Sequence, residues 1–168
     1  IVDPKFVFDG MLRRRLTAEE FADAVSETLE PVYADSLIET GLLPNDIKMN
    51  TPFARASLVK NDFCQTVLGR PNRETVSTSK NLQANLLQAL ELTNGSLFNE
   101  TMKKAAIKWK EKYPDPKMMV NEIYRNTLGR FPDKKEISIA ENALGKSPPV
   151  EAIQDFLWAM ALHPEFQL

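Results

Sequence analysis

Apolar residues recur at helical spacing in segment after segment of this chain, and a glycine or proline follows most of these segments. The clearest stripe comprises Phe98, Met102, Ala105, Trp109 and Tyr113, whose steps of four, three, four and four residues match one face of an α-helix. No segment shows the sustained alternation typical of a half-buried strand. The sequence therefore predicts an all-α fold of about seven or eight helices joined by short Pro/Gly turns, with little or no sheet.

Two helix starts carry a local capping signal. Thr17 with Glu20, and Asp133 with Glu136, match the capping box, in which each side chain satisfies a free backbone N–H of the other residue. Three further segments are predicted as helices from their apolar residues: a short one over Val32 to Ile38, one from Leu58 to Leu68, and one from Asn81 to Thr93. The last is apolar on more than one side, which predicts a helix at the centre of the core.

The chain is long enough for one substantial core, with 168 residues of which 43% are hydrophobic. We expect one helical domain over 1–168, with an extended N-terminal segment over 1–12 and a loop-rich connection over 39–54. Because the chain starts at Ile1, without an initiator methionine or a signal peptide, we expect it to be a C-terminal fragment of a larger protein.

Composition argues against several classes of function. The net charge of −2 provides no basic field for nucleic acid, and no apolar run is long enough for direct membrane insertion. Cys64 and His163 are the only cysteine and histidine, so no intrachain disulfide, haem-attachment motif or metal-ligand spacing is present. We therefore predict no catalytic residue, no metal and no cofactor in this chain. Its oligomeric state is not determined by the sequence.

Two corners share the residues Leu-Gly-Arg. At the first, Gly69 and Pro71 flank Arg70; at the second, Leu128-Gly129-Arg130-Phe131-Pro132 repeats the pattern. In both corners glycine can end a helix by adopting the left-handed conformation, and arginine can donate to the carbonyls that the helix end leaves unpaired. Proline then prevents the helix from continuing. Gly95 after Asn94 predicts a third helix stop. We interpret these residues as structural turns.

The first corner, the later run Gln88-Ala89-Leu90-Glu91-Leu92-Thr93-Asn94-Gly95 and the second corner together resemble domain of unknown function 1553. The resemblance extends from about Met11 and is weakest over Pro31 to Thr51. This family is the C-terminal domain of large exported proteins of Planctomycetes and Bacteroidetes, often found with cytochrome c domains. The resemblance implies an exported, periplasmic or cell-surface protein whose haem, if any, is in an upstream domain.

Polar residues near the first corner form a candidate ligand-binding set, comprising Arg70, Asn72, Arg73, Glu74 and Lys80. They precede a predicted helix start, where donors could converge on an anion. Alternatively, Arg70 and Arg73 satisfy the carbonyls of Gly69 and its neighbours and pair with Glu74 or Glu91, which is the favoured interpretation. Gln88, Glu91 and Asn94 could present a hydrogen-bonding surface to a sugar or a neighbouring domain.

Two functional hypotheses follow. The leading one is a non-catalytic helical module that docks on the other domains of the same polypeptide, as the resemblance implies. In the rival hypothesis, the chain contributes polar residues to a composite catalytic or carbohydrate- or anion-binding site shared with an upstream domain. The chain is not expected to be an enzyme by itself.

Overall fold

The computed structural model describes residues 14–33, 54–71 and 86–168. Within these ranges the chain is all-α, with eight α-helices, one short 3₁₀-helix and no strand. The helices are α1 (Ala18–Thr28), the 3₁₀-helix (Ala56–Leu58), α2 (Phe63–Val67), α3 (Leu86–Asn94), α4 (Ser96–Lys112), α5 (Pro116–Leu128), α6 (Lys134–Leu144), α7 (Val150–Ala161) and α8 (Pro164–Gln167). The predicted fold class is confirmed.

Both predicted capping boxes are present. At α1, the Glu20 N–H donates to Thr17 Oγ1 at 3.4 Å, and the Thr17 N–H donates to Glu20 Oε2 at 2.8 Å. At α6, the Glu136 N–H donates to Asp133 Oδ1 at 2.8 Å, with the reciprocal bond from the Asp133 N–H at 2.6 Å. These bonds join residues three apart, so each helix start is fixed by its own sequence.

The centre of the core is the packing of α4 along α7, the most extensive helix pair among the described residues. Met102 on α4 and Ile153 and Leu157 on α7 are fully buried there. The ring of Phe98 links this pair to α1 and to the outer side of α7, with centroids 5.8 Å from Phe21 and 5.4 Å from Trp158. The long apolar stripe of α4 therefore faces the core, as predicted.

The predicted helix from Leu58 to Leu68 was wrong, because the chain breaks between the 3₁₀-helix and α2. Asp62 ends the break by capping α2, with its Oδ1 accepting from the Gln65 N–H at 2.7 Å. Asp23 on α1 holds the 3₁₀-helix in place, accepting from the Ala56 N–H at 2.7 Å. As a result Phe63, which was expected in the buried stripe, is 65% exposed.

The prediction that the helix ending near Thr93 lies at the centre of the core was also wrong. In α3 only Gln88 and Leu92 are buried, whereas the side chains of Leu86, Leu87 and Leu90 are 76%, 51% and 49% exposed. The buried residues occupy one side of the helix, which packs on α2 and α4. The leucines lie on the opposite side, so a high apolar content did not mean burial on all sides.

Other sequence predictions lie outside the described residues. They include the N-terminal segment 1–12, nearly all of the connection 39–54 and most of the short helix predicted over Val32 to Ile38. Tyr33 and Ala54, the described residues on either side of residues 34–53, are hydrogen-bonded to each other, since the Ala54 N–H donates to the Tyr33 carbonyl at 2.9 Å. No helix in the described part of the chain is both long and apolar enough to cross a membrane.

Candidate functional site

Arg70, the arginine of the first corner, is buried, with 6% of its surface exposed. Its Nη1 donates to the carbonyl oxygens of Ala56 at 2.8 Å and Val59 at 3.1 Å, and its Nη2 donates to that of Ser57 at 2.9 Å. Nη1 also donates to the side-chain oxygen of Gln65, and Nε lies 3.6 Å from Glu19 Oε1. One guanidinium therefore joins the 3₁₀-helix, α2 and α1.

A second set of polar side chains continues from Arg70. Gln65 donates from Nε2 to the hydroxyl of Tyr33 at 2.7 Å, and that hydroxyl donates to Asp62 Oδ2 at 2.6 Å. Gln65 and Tyr33 are 1% and 2% exposed. We call Tyr33, Asp62, Gln65 and Arg70 the Arg70 network. Its bonds span sequence separations from 3 to 32 residues, so it joins Tyr33, which follows α1, to the start of α2.

The electrostatics of the Arg70 network favour a structural role over acid–base chemistry. Burial, and then the hydrogen bond to Asp62, raise the pKa of the Tyr33 hydroxyl well above its ordinary value, so it stays protonated near neutral pH. The neighbouring Cys64 has its pKa raised to about 12 by burial first and by the charges of Asp62 and Glu91 second. Neither group is poised to act as a base or nucleophile near pH 7.

Arg130, the arginine of the second corner, has carboxylate partners instead of carbonyls. Its Nη1 and Nη2 donate to the two oxygens of Glu136, both at 2.8 Å, and its Nε donates to Glu165 Oε2 at 2.9 Å. The guanidinium also lies 5.6 Å from the centre of the Tyr124 ring. This second cluster is partly exposed and ties the start of α6 to α8.

The glycines of the two corners have positive φ, at 101° for Gly69 and 68° for Gly129. After α2 the N–H groups of Gly69 and Arg70 donate to the carbonyls of Thr66 and Gln65, which is the paired bond pattern of a Schellman motif. After α5 the Gly129 N–H donates to the Arg125 carbonyl at 3.2 Å, the single bond of the simpler left-handed cap. The predicted left-handed conformation is therefore found at both corners, with different hydrogen bonds.

Gly95 does not adopt the left-handed conformation expected of a helix stop, because its φ is −61° and α4 begins at the next residue. A Cβ at this position would lie 2.5 Å from both the Glu91 carbonyl oxygen and Glu91 Oε1. Glycine is thus needed here for a close approach to the preceding turn, and not for an unusual backbone angle.

The predicted polar face of α3 does not face solvent as a unit. Gln88 is 3% exposed and its Oε1 accepts from Arg15 Nη1 at 2.9 Å, while Glu91 interacts with the Cys64 thiol on α2. Asn94 is exposed and donates from Nδ2 to Thr93 Oγ1 at 2.9 Å. Of the three residues proposed to present a hydrogen-bonding surface, the structure leaves Asn94 accessible.

The candidate ligand set around the first corner is only partly described. Arg70 and Pro71 lie within the described residues, whereas Asn72, Arg73, Glu74 and Lys80 lie outside them. Among the described residues Arg70 bonds the carbonyls of Ala56, Ser57 and Val59 and approaches Glu19, whereas the carbonyls of Gly69 and its neighbours had been expected. Its expected pairing with Glu74 lies outside the described residues.

Sequence reasoning missed three members of the Arg70 network, namely Tyr33, Asp62 and Gln65. One signal was available, since Asp62 and Gln65 have the three-residue spacing of a capping pair before an apolar run.

Pro132, the last residue of the second corner, is buried beside its arginine cluster. His163, considered only as a metal ligand, caps α8 by accepting from the Glu165 N–H at 3.2 Å.

Two small cavities adjoin α1, each of about 10 Å³, close to the space of one water molecule. The first is lined by Arg15, Thr17 and Gln88 among others, and the second by Phe21, Tyr33 and Cys64 among others. Neither could hold a substrate-sized ligand. Among the described residues, no three histidine, cysteine, aspartate or glutamate side chains are grouped so that they could hold a metal ion.

Comparison with known proteins gives a family without an activity. The model of a family described as "PSD1: Protein of unknown function (DUF1553)" matches residues 3–144. Neither the curated proteins nor the solved structures give a match to the chain. The family match ends at the last residue of α6, yet α7 packs along α4 and completes the same core.

Proposed function

The chain belongs to the DUF1553 family of proteins of unknown function, and from this premise we propose that it is a non-catalytic helical module that docks on the other domains of a large exported protein. The parent protein would be periplasmic or at the cell surface, with any haem bound in an upstream domain. The partners would be other domains of the same polypeptide. This proposal extends what the resemblance implies.

The observation that carries the proposal is the position of Arg70. This arginine belongs to the corner on which the resemblance depends, and its guanidinium bonds four oxygens of the chain itself while lying beside Glu19. A buried guanidinium with that many internal partners has little capacity left for a ligand. The motif therefore supports a role in holding the fold, which is what a docking module requires.

The rival proposal keeps a composite site shared with an upstream domain. The exposed Asn94 is the described residue best placed for it, because its amide bonds only Thr93 among the described residues. Under this rival, replacing Asn94 by Ala would abolish binding of an anionic or carbohydrate ligand by the parent protein while leaving its melting temperature unchanged.

Hydrogen exchange of this chain, measured alone and within its parent polypeptide, tests the docking proposal directly. We expect slower exchange over one continuous surface in the parent, because an interface excludes water from the amides that it covers. Identical exchange in the two samples would contradict docking. The parent with Asn94→Ala, compared with Asn142→Ala on the exposed side of α6, then separates the rival from a general surface effect.

Haem content gives an independent check on the cofactor part of the proposal. We expect haem absorbance, if the parent has any, to remain with the upstream fragment after cleavage between the two parts. Stoichiometric haem or metal in the purified chain of 168 residues would contradict it.

A further inference from the structure

One asparagine of the chain is followed directly by glycine, and this pair forms the junction between α3 and α4. Asn94 is the last residue of α3, and Gly95 separates it from Ser96, the first residue of α4. Because glycine has no side chain, little hinders its backbone nitrogen from attacking the side-chain amide of the preceding residue. The Asn94 side chain is exposed, so water has access to it. The pair therefore has the chemistry of a deamidation site.

Deamidation of this pair consumes one water molecule and releases one ammonia. The Gly95 backbone nitrogen gives its proton to a base in the solvent and bonds to Asn94 Cγ. The bond from Cγ to Nδ2 breaks, and Nδ2 takes up a proton and leaves as ammonia, which forms a five-membered succinimide ring. Water then breaks one of the two bonds of the ring nitrogen. Cleavage at Cγ gives aspartate, and cleavage at the main-chain carbonyl carbon gives isoaspartate.

The folded junction holds the attacking nitrogen in place. Gly95 is buried, its N–H donates to the Glu91 carbonyl at 2.7 Å, and its own carbonyl accepts from the Asn99 N–H at 2.9 Å. Asn94 has helical backbone angles, which ring closure requires it to leave. While α3 is complete to its last residue, the reaction is therefore blocked although the amide is accessible to solvent.

Few interactions keep the last turn of α3 closed. Trp158 on α7 donates from Nε1 to the Leu92 carbonyl at 2.7 Å, and Thr93 Oγ1 donates to the Ala89 carbonyl at 2.9 Å. Leu92 is the one buried side chain of residues 91–94. Helix ends with few buried contacts open at a low free-energy cost, well before the whole chain unfolds. The bond from Trp158 is thus a principal restraint on this turn.

We propose that Asn94 is a site of spontaneous deamidation, and that transient opening of the junction between α3 and α4 sets its rate. The product makes the opening difficult to reverse. It places a new negative charge at the C-terminal end of α3, where the helix dipole disfavours it, and near Glu91, whose carboxylate already lies against Gly95. Isoaspartate also lengthens the main chain by one carbon, which disrupts the bond between Gly95 and Glu91. This inference does not depend on the docking proposal.

Comparison of the folded and unfolded chain tests the site and its protection. The wild-type chain is incubated in mildly alkaline buffer with and without guanidinium chloride, and deamidation is measured by mass spectrometry of its peptides. We expect Asn94 to react at least about ten-fold more slowly in the folded chain, because the open junction is a minor population. The control is Asn142 on α6, exposed but followed by alanine, which should stay unmodified in both samples. Equal rates for Asn94 in the two samples, or no reaction in the unfolded chain, would overturn the proposal.

Substitution of Trp158 tests whether opening of the junction is the controlling step. Trp158→Phe removes the indole donor, and it should raise both the deamidation rate of Asn94 and hydrogen exchange at the Gly95 amide by the same several-fold factor. The matched control is Trp109→Phe, which removes the indole bond to the Leu29 carbonyl, away from the junction, and should leave both rates unchanged. An unchanged rate in Trp158→Phe would overturn the proposal. An equal increase in the two variants would also overturn it, because global unfolding would then be the controlling step.

Discussion

Arg70 and Gln65 are joined twice, once between their side chains and once by the Arg70 N–H, which donates to the Gln65 carbonyl at 2.9 Å. The backbone bond closes the corner after α2, and the side-chain bond connects that corner to the 3₁₀-helix and to Tyr33. The conformation of the corner and the position of the guanidinium are therefore coupled. A substitution of Arg70 or of Gln65 should therefore disturb both the corner and the position of the guanidinium.

Arg70→Ala should destabilise the chain by about 3–5 kcal/mol, because it leaves several buried oxygens without donors. Arg70→Lys should restore only part of the loss, since one ammonium cannot reproduce the planar fork of a guanidinium. Urea unfolding followed by circular dichroism measures both. Arg130→Ala is the control, since its partly exposed cluster should contribute far less. Equal losses of unfolding free energy for Arg70→Ala and Arg130→Ala would contradict the difference in burial between the two arginines.

Gly129→Ala should cost about 1 kcal/mol, from backbone strain alone, because φ is 68° and a Cβ there would meet no atom within 4 Å. Gly129→Asn should cost less, since asparagine tolerates this conformation. Gly145, at φ 69° and ψ −170°, occupies a region that is nearly restricted to glycine. Gly145→Ala should therefore lower the melting temperature more than either substitution of Gly129. A larger loss for the Gly129 substitutions than for Gly145→Ala would contradict the backbone angles of these two glycines.

Acid should destabilise the cluster around Arg130. The hydrogen bonds from Arg130 come first among the causes that lower the pKa of Glu136 to about 2, from 4.5. A carboxylate with a depressed pKa stabilises the fold above pH 4.5, and this contribution is lost as the pH falls towards 2. Melting temperatures between pH 6 and pH 2 should fall less steeply for Arg130→Gln than for the wild type. Parallel curves would show that Arg130 does not hold the Glu136 pKa down.

Cys64 should be unreactive in the folded chain. With a pKa raised to about 12, against 9.0 for a free thiol, its thiolate fraction near pH 8 is about a thousand-fold lower than that of an exposed cysteine. A disulfide reagent such as Ellman's reagent should react slowly with the native protein and rapidly in guanidinium chloride. Glu91→Gln should increase the native rate, and Glu111→Gln, an exposed change on α4, should not. Rapid reaction of the native wild type would contradict the raised pKa of this half-buried thiol.

The sequence by itself determined the features that depend on residues a few positions apart. The stripe on α4, the capping boxes at Thr17 and Asp133, and the left-handed Gly129 all appear where they were predicted. Each involves interactions across three to five residues, so the local sequence contains all the partners. The all-α class follows from the same local periodicity.

Only the tertiary structure decided which side of each helix is covered and which partner each polar side chain finds. Arg15 bonds Gln88 across 73 residues, and Arg70 reaches carbonyls 11 to 14 residues away on a separate helix. The exposure of Leu87 likewise depends on where α2 and α4 lie relative to α3. Periodicity reports that a side chain is apolar or polar at a given angle on a helix, but the neighbours that remove it from water are brought there by the folded chain as a whole.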